Sequence, residues 1–193
     1  MAMAHKFDPS RADRLLSPDR LRILPPAALL DLLAPRAGEV AADIGCGPGY
    51  LTLPLAQRLA PGGWVWACDI APEMLVQLQE RLGAVECRNA TPVLSSESSV
   101  PLPDAGCDLL LLVHMLHELE APEAFFADMA RLLRPDGRGL AVDWTPEPSP
   151  SGPPLAVRVP PERATTWITA GGLTVDAVVP AGPHAYAIRF HRG

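Results

Sequence analysis

The sequence predicts an α/β fold with a largely parallel sheet, and three features of the chain predict it. Short apolar runs closed by turn residues alternate with stretches whose apolar residues recur at helical spacing. The first such run ends in Asp43 and passes directly into a turn with glycines at 45, 47 and 49, then into Leu51, Leu53, Leu55, Ala56 and Leu59, one buried face of a helix. The run Trp64 to Cys68 closes on a second acid, Asp69, and Pro72 and Glu73 then suit the positive first turn of a helix.

The elements follow in order. Ser17-Pro18-Asp19 marks a helix start, Pro25-Pro26 interrupts it, and Ala27 to Leu33 continues as a second apolar helix; residues 1–35 form a helical lid or side layer. Strands are expected near 39–44, 64–69, 84–88, 107–113 and 138–144, with helices near 50–60, 72–82 and 121–134. A proline-rich loop at 145–154 precedes a helix near 160–170, a Gly171-Gly172 break and strands near 173–179 and 184–191. Alternating strand and helix make the sheet mostly parallel.

With 193 residues and 48% hydrophobic content, the chain can bury one sizeable core, and a single domain over 1–193 is expected, its core at 36–193. Sixteen basic residues stand against 22 acidic ones, a net charge of −6, so no cationic excess exists to neutralise a phosphate backbone and nucleic acid is disfavoured as a partner. No apolar stretch approaches the roughly 20 residues a membrane span needs, and the start lacks a signal-peptide core, so a cytoplasmic protein is expected. Cys46, Cys68, Cys87 and Cys107 are too scattered for a zinc site and read as small buried apolar residues; no metal is expected. The oligomeric state leaves no mark on the sequence.

The glycine spacing discriminates between ligands. A dinucleotide loop needs Gly-x-Gly-x-x-Gly, and Tyr50 occupies the place of its last glycine. An acid such as Asp43, pointed into the cleft, repels a pyrophosphate and suits a cationic ligand, which favours S-adenosylmethionine. Asp69, on the next strand-to-helix turn, is placed to accept both hydroxyls of a ribose.

The chain here resembles the class I S-adenosylmethionine-dependent methyltransferases, in particular small bacterial enzymes related to those of ubiquinone and menaquinone biosynthesis. The resemblance rests on Asp43-Ile44-Gly45-Cys46-Gly47-Pro48-Gly49-Tyr50, Asp69-Ile70-Ala71-Pro72-Glu73-Met74-Leu75, Pro101-Leu102-Pro103-Asp104 with Cys107-Asp108-Leu109, Leu116-His117-Glu118-Leu119, and Leu133-Arg134-Pro135-Asp136-Gly137. It implies a three-layer Rossmann-like fold, seven strands in the order 3-2-1-4-5-7-6 with the last antiparallel. It also implies methyl transfer by in-line displacement to a small-molecule acceptor, a reaction that positioning alone can largely achieve.

The resemblance places Asp43, Gly45, Cys46, Gly47, Gly49, Tyr50, Asp69, Ile70 and Met74 against the cofactor, with Tyr50 and Phe7 covering it. After the third strand, Asn89 and Ala90 stand where the family usually has an acid and a small residue facing the adenine, and the Asn89 side chain can still accept that hydrogen bond. His114 would contact the cofactor, His117 and Glu118 would act as general base for a hydroxyl or amine, and Trp144 would line the acceptor pocket. Two rivals keep the same glycine turn. Tyr50 opposes a nicotinamide-dependent dehydrogenase, whereas a non-catalytic S-adenosylmethionine-binding or sensor protein satisfies every motif.

Overall fold

The computed structural model describes residues 6–193 and contains one seven-stranded sheet in the order β3-β2-β1-β4-β5-β7-β6. The strands are β1 Val40–Ile44, β2 Trp64–Asp69, β3 Ala90–Leu94, β4 Cys107–Val113, β5 Leu133–Trp144, β6 Thr174–Pro180 and β7 Ala185–His191. β1 to β5 pair in parallel, and β7 is antiparallel to both β5 and β6. The helices are α1 Pro18–Ile23, α2 Pro26–Leu33, α3 Thr52–Leu59, α4 Pro72–Ala84, α5 Pro122–Leu132 and α6 Pro161–Ala170. The expected order and the antiparallel closing hairpin are both present. No helix among the described residues is long and apolar enough to cross a membrane.

Both faces of the sheet are covered, because successive side chains of a strand point to opposite sides. On one side Ala42, Ile44, Leu110, Leu112 and Ile188 meet Phe125, Phe126 and Met129 of α5 and Ile168 of α6. On the other, Ala41, Val65, Leu109 and Leu111 meet Leu29, Leu30 and Leu33 of α2 and Leu55 and Leu59 of α3. Leu75, Leu78 and Leu82 of α4 pack with Ala67 of β2. Cutting one of these fully buried leucines to alanine costs about 2–5 kcal/mol.

One strand lies elsewhere than the sequence pattern places it. Residues 84–88 read as apolar alternation, yet α4 runs on to Ala84, and Glu86 turns the chain back with φ +52°. The third strand is therefore Ala90–Leu94, and it accepts Pro92 because it is an edge strand. The last parallel strand also begins earlier than 138, at Leu133, in irregular register with β4.

Candidate active site

A cavity of about 940 Å³ opens at the carboxyl ends of β1, β2 and β4, where the sheet order reverses. Its floor is the glycine turn. Gly45 and Cys46 donate their backbone N–H groups to the carbonyl of Cys68, and the turn holds Gly45, Gly47 and Gly49 at φ +70°, +53° and +85°. Gly45, Cys46, Gly47 and Tyr50 line the cavity. Gly49 does not: a Cβ there would lie 2.4 Å from Leu78 Cδ1, so this glycine serves the close approach of α4.

Asp69 lies on the wall at the end of β2. One of its oxygens accepts from Gly47 N–H at 2.8 Å and the other from Ala71 N–H at 2.9 Å, which leaves each oxygen further lone-pair capacity for a diol. Burial raises its pKa above the usual carboxylate range, against the pull of those N–H groups. Ile70 and Met74 continue the same wall.

Two expectations for acids and amides need correction. Asp43 does not reach the cavity. It shares the β1 face that looks toward α3, where Thr52 Oγ1 donates to it at 2.7 Å, and burial pushes its pKa up to about 7. Asn89 and Ala90 stand at the amino end of β3, the far end from the cavity, because the strand starts six residues later than expected from position 84. The Asn89 amide donates to the carbonyls of Ala56 at 2.8 Å and Gly63 at 3.3 Å and so ties α3 to the start of β2. The loop that does follow β3 at the cavity is Ser95, Ser96 and Glu97, a polar run directly after Val93-Leu94.

The loop after β4 carries the reactive groups. His117 Nδ1 is 2.9 Å from Asp143 Oδ1, and Nε2 is 3.7 Å from Glu118 Oε1. Because a carboxylate only accepts, Asp143 fixes the proton on Nδ1 and turns Nε2 outward as the exchangeable position. Burial disfavours the charged imidazole, but the hydrogen bond and charge of Asp143, together with Glu118, outweigh it and raise the His117 pKa. Burial likewise raises Glu118, which also accepts from the Phe7 N–H. Asp143 escaped the sequence reading although it closes an apolar run, Leu140-Ala141-Val142, as Asp43 and Asp69 do. His114 also lines the cavity; its ring stacks on Trp144 at 4.4 Å, and burial keeps it neutral.

The N-terminal segment forms the opposite wall. Lys6 pairs with Glu97 and Glu120, and Phe7 and Arg20 line the cavity. Arg20 is the informative residue: its guanidinium lies 4.8 Å over the Tyr50 ring, its buried Nε has no hydrogen-bond partner among the described residues, and burial lowers its pKa to about 10. A buried cation with unspent donors beside the glycine turn suits a carboxylate. S-adenosylmethionine carries one, together with a ribose diol for Asp69, so the residues present fit this cofactor.

Fold and site together define the class I S-adenosylmethionine-dependent methyltransferase type. Residues 41–137 match the methyltransferase domain family, and the chain belongs to that family. It is 37% identical over 166 residues to nocamycin O-methyltransferase of Saccharothrix syringae, covering 82% of this chain and 52% of that protein. It is 32% identical over 111 residues to the ubiquinone/menaquinone biosynthesis C-methyltransferase of Cupriavidus taiwanensis, covering 57% and 45%. The chain thus spans about half the length of these curated relatives. A crystal structure of an S-adenosylmethionine-dependent methyltransferase from Aquifex aeolicus superposes with a TM-score of 0.92 at 27% identity, over 96% of this chain and 98% of that one.

Proposed function

We propose that this chain transfers a methyl group from S-adenosylmethionine to a small molecule bearing a hydroxyl, with 36–193 as the catalytic core and 1–35 as its lid. The observation that carries the proposal is one cavity with two kinds of wall. Asp69, the glycine turn and Arg20 offer partners for a diol and a carboxylate, while His117, oriented by Asp143 and flanked by Glu118, offers a proton acceptor. When bound, the cofactor supplies an electrophilic methyl group on a sulfonium.

The chain's own residues divide the remaining work. Asp69 and Arg20 would hold the ribose and the carboxylate of the cofactor, and Ile70 and Met74 would line its side of the cavity. His117 Nε2 takes the hydroxyl proton, and Asp143 stabilises the resulting imidazolium, a contribution typically of about 10²–10⁴ in rate. Phe7, Leu119, Phe125 and Trp144 reduce the water around that proton transfer. One O-methyltransferase and one C-methyltransferase among the relatives are compatible with the same base, since removing a phenolic proton activates both the oxygen and the adjacent ring carbon. The net charge of −6 favours a small acceptor over nucleic acid, and a cytoplasmic location fits such a substrate.

Thermal-shift titration with S-adenosylmethionine, S-adenosylhomocysteine and NAD tests the donor. Ligand at about 100 times its Kd adds roughly 2.7 kcal/mol of stability, and stabilisation by NAD alone refutes the proposal. Incubation with methyl-labelled S-adenosylmethionine and fractionated extract tests the acceptor: label is expected in the small-molecule fraction. Label in nucleic acid overturns the acceptor class, and binding without any transfer identifies a sensor.

A further inference from the structure

The segment between β5 and α6 has prolines at 146, 148, 150, 153, 154 and 160 and forms little regular structure of its own. Each proline removes an N–H, so the segment cannot build a hydrogen-bonded ladder to satisfy its carbonyls. Although most of its residues are exposed, Ser151, Gly152, Pro153 and Pro154 line the cavity and form part of its rim.

Tyr186 Oη donates to the Val159 carbonyl near the end of the segment, but one side chain, Arg158, makes most of the side-chain hydrogen bonds to the 145–153 loop among the described residues. Arg158, only 8% exposed, donates to the carbonyls of Thr145 at 3.1 Å, Glu147 at 2.6 Å, Ser151 at 3.1 Å and Pro153 at 3.0 Å, and to Ser149 Oγ at 2.7 Å. The acceptors fall on every second residue from 145 to 153, so the guanidinium sits at the centre of a ring of loop dipoles. No carboxylate lies within salt-bridge distance of it among the described residues, and its charge is balanced by those dipoles and by an aromatic face. That face is Trp144, 5.4 Å from the guanidinium carbon.

Gly152 lies flat on the same indole: at φ +104°, a Cβ there would be 2.9 Å from ring atoms of Trp144 and 3.0 Å from Arg158 Nη2. Trp144 in turn stacks on His114, with ring centroids 4.4 Å apart and planes inclined by 25°. Guanidinium, indole and imidazole thus form a connected stack from the loop to the end of β4, where His117 follows three residues later.

We infer that Arg158 is the positioning residue for the methyl acceptor: by clamping the 145–153 loop onto Trp144 it shapes the acceptor half of the cavity without touching the cofactor half. The inference rests on the proposed methyl transfer. Among the described residues, neither this loop nor Arg158 makes a hydrogen bond to Asp69, Arg20 or the glycine turn. His114, at the far end of the stack, is held independently of the loop by its backbone N–H, which donates to the Val142 carbonyl at 2.8 Å, so losing the clamp acts chiefly on the acceptor side. Lysine cannot replace it, since one ammonium with three donors cannot reach five acceptors arranged around a planar fork.

The test compares the unaltered chain with Arg158→Gln and Arg158→Lys, using phenol and 2-naphthol as probe acceptors and methyl-labelled S-adenosylmethionine as donor. Both variants are expected to raise the acceptor KM roughly tenfold or more while the KM for S-adenosylmethionine and the Kd for S-adenosylhomocysteine stay within about twofold. Equal movement of both KM values, or an unchanged acceptor KM, overturns the inference. A second arm needs no turnover. Acrylamide quenching of Trp144, isolated as the difference between each protein and its Trp144→Phe counterpart with S-adenosylhomocysteine bound, is expected to at least double in Arg158→Gln. Unchanged quenching overturns the clamp even if neither probe is methylated, whereas failure of the unaltered chain to bind S-adenosylhomocysteine counts against the proposed function itself.

Discussion

Replacing Asp43 with asparagine should stabilise this protein at neutral pH, and the gain should grow with pH. Asp43 is 3% exposed under the glycine turn, and burial moves its pKa from 3.8 to about 7. In the unfolded chain the carboxyl ionises near the lower value; in the folded chain it keeps its proton up to the higher one. Across that window the folded state binds a proton that the unfolded state has lost, so stability falls as pH rises, by about 1.4 kcal/mol per pH unit. Over roughly three units the loss approaches about 4 kcal/mol, and it levels off once both states are ionised. The Asp43→Asn side chain mimics the neutral acid: its carbonyl accepts from the Thr52 hydroxyl and it has no proton to lose. Urea or thermal unfolding of both proteins at half-unit steps from pH 4.5 to 8 gives the comparison, and His117 and Glu118 cancel because both proteins contain them. The separation between the two curves should widen by roughly 3–5 °C per pH unit and then flatten near pH 7. Parallel curves would refute the buried-neutral reading of Asp43.

Asp69→Ala should weaken S-adenosylhomocysteine binding by at least about 1 kcal/mol in calorimetry, through lost hydrogen bonds to the ribose; unchanged affinity would show that the ribose lies elsewhere. Arg20→Gln should weaken S-adenosylhomocysteine by about 1.5–3 kcal/mol yet leave 5′-methylthioadenosine, which lacks the carboxylate, unaffected. Equal loss for both ligands would remove Arg20 from the carboxylate. For the base, activity should fall as pH drops through the raised His117 pKa, with a midpoint above 6.5, its ordinary value. Asp143→Asn should move that limb to lower pH and cut kcat by about 10² or more without a comparable change in cofactor affinity; a pH limb that stays in place would exclude His117 as the base.

The sheet was largely legible because β1, β2 and β4 are short apolar runs next to a polar residue, and the period of the pattern switches at Asp43 and Asp69. The exception has a definite cause. Around 84–88 the alternation of Ala84, Glu86 and Arg88 with Val85 and Cys87 imitates an exposed strand, while the true strand contains Pro92, a residue that argues against strand unless the strand is known to be an edge. Edge status is a property of the assembled sheet and is invisible in one segment. The displaced strand then carried Asn89 to the wrong end of the sheet, so one misplaced element became one misplaced contact.

The two halves of the cavity differed in legibility for the same reason. The cofactor side is built mostly within short motifs: Gly45, Gly47 and Tyr50 come from one turn, and Asp69, Ile70 and Met74 from the next. The acceptor side and the buried cations are built by partners far apart in the chain. His117 meets Asp143 across 26 residues, and Arg20 reaches Tyr50 only because α1 folds back over the glycine turn. Arg158 shows the extreme case, since an arginine ahead of a helix carries no sign that it will hold a loop 5 to 13 residues upstream. In the proposed function, strand ends place the methyl-donor side by local sequence rules, whereas the acceptor side depends on loop 145–153 and on partners distant in the chain. Loop exchange at 145–153 together with residue 158 should therefore alter acceptor choice while leaving the cofactor in place.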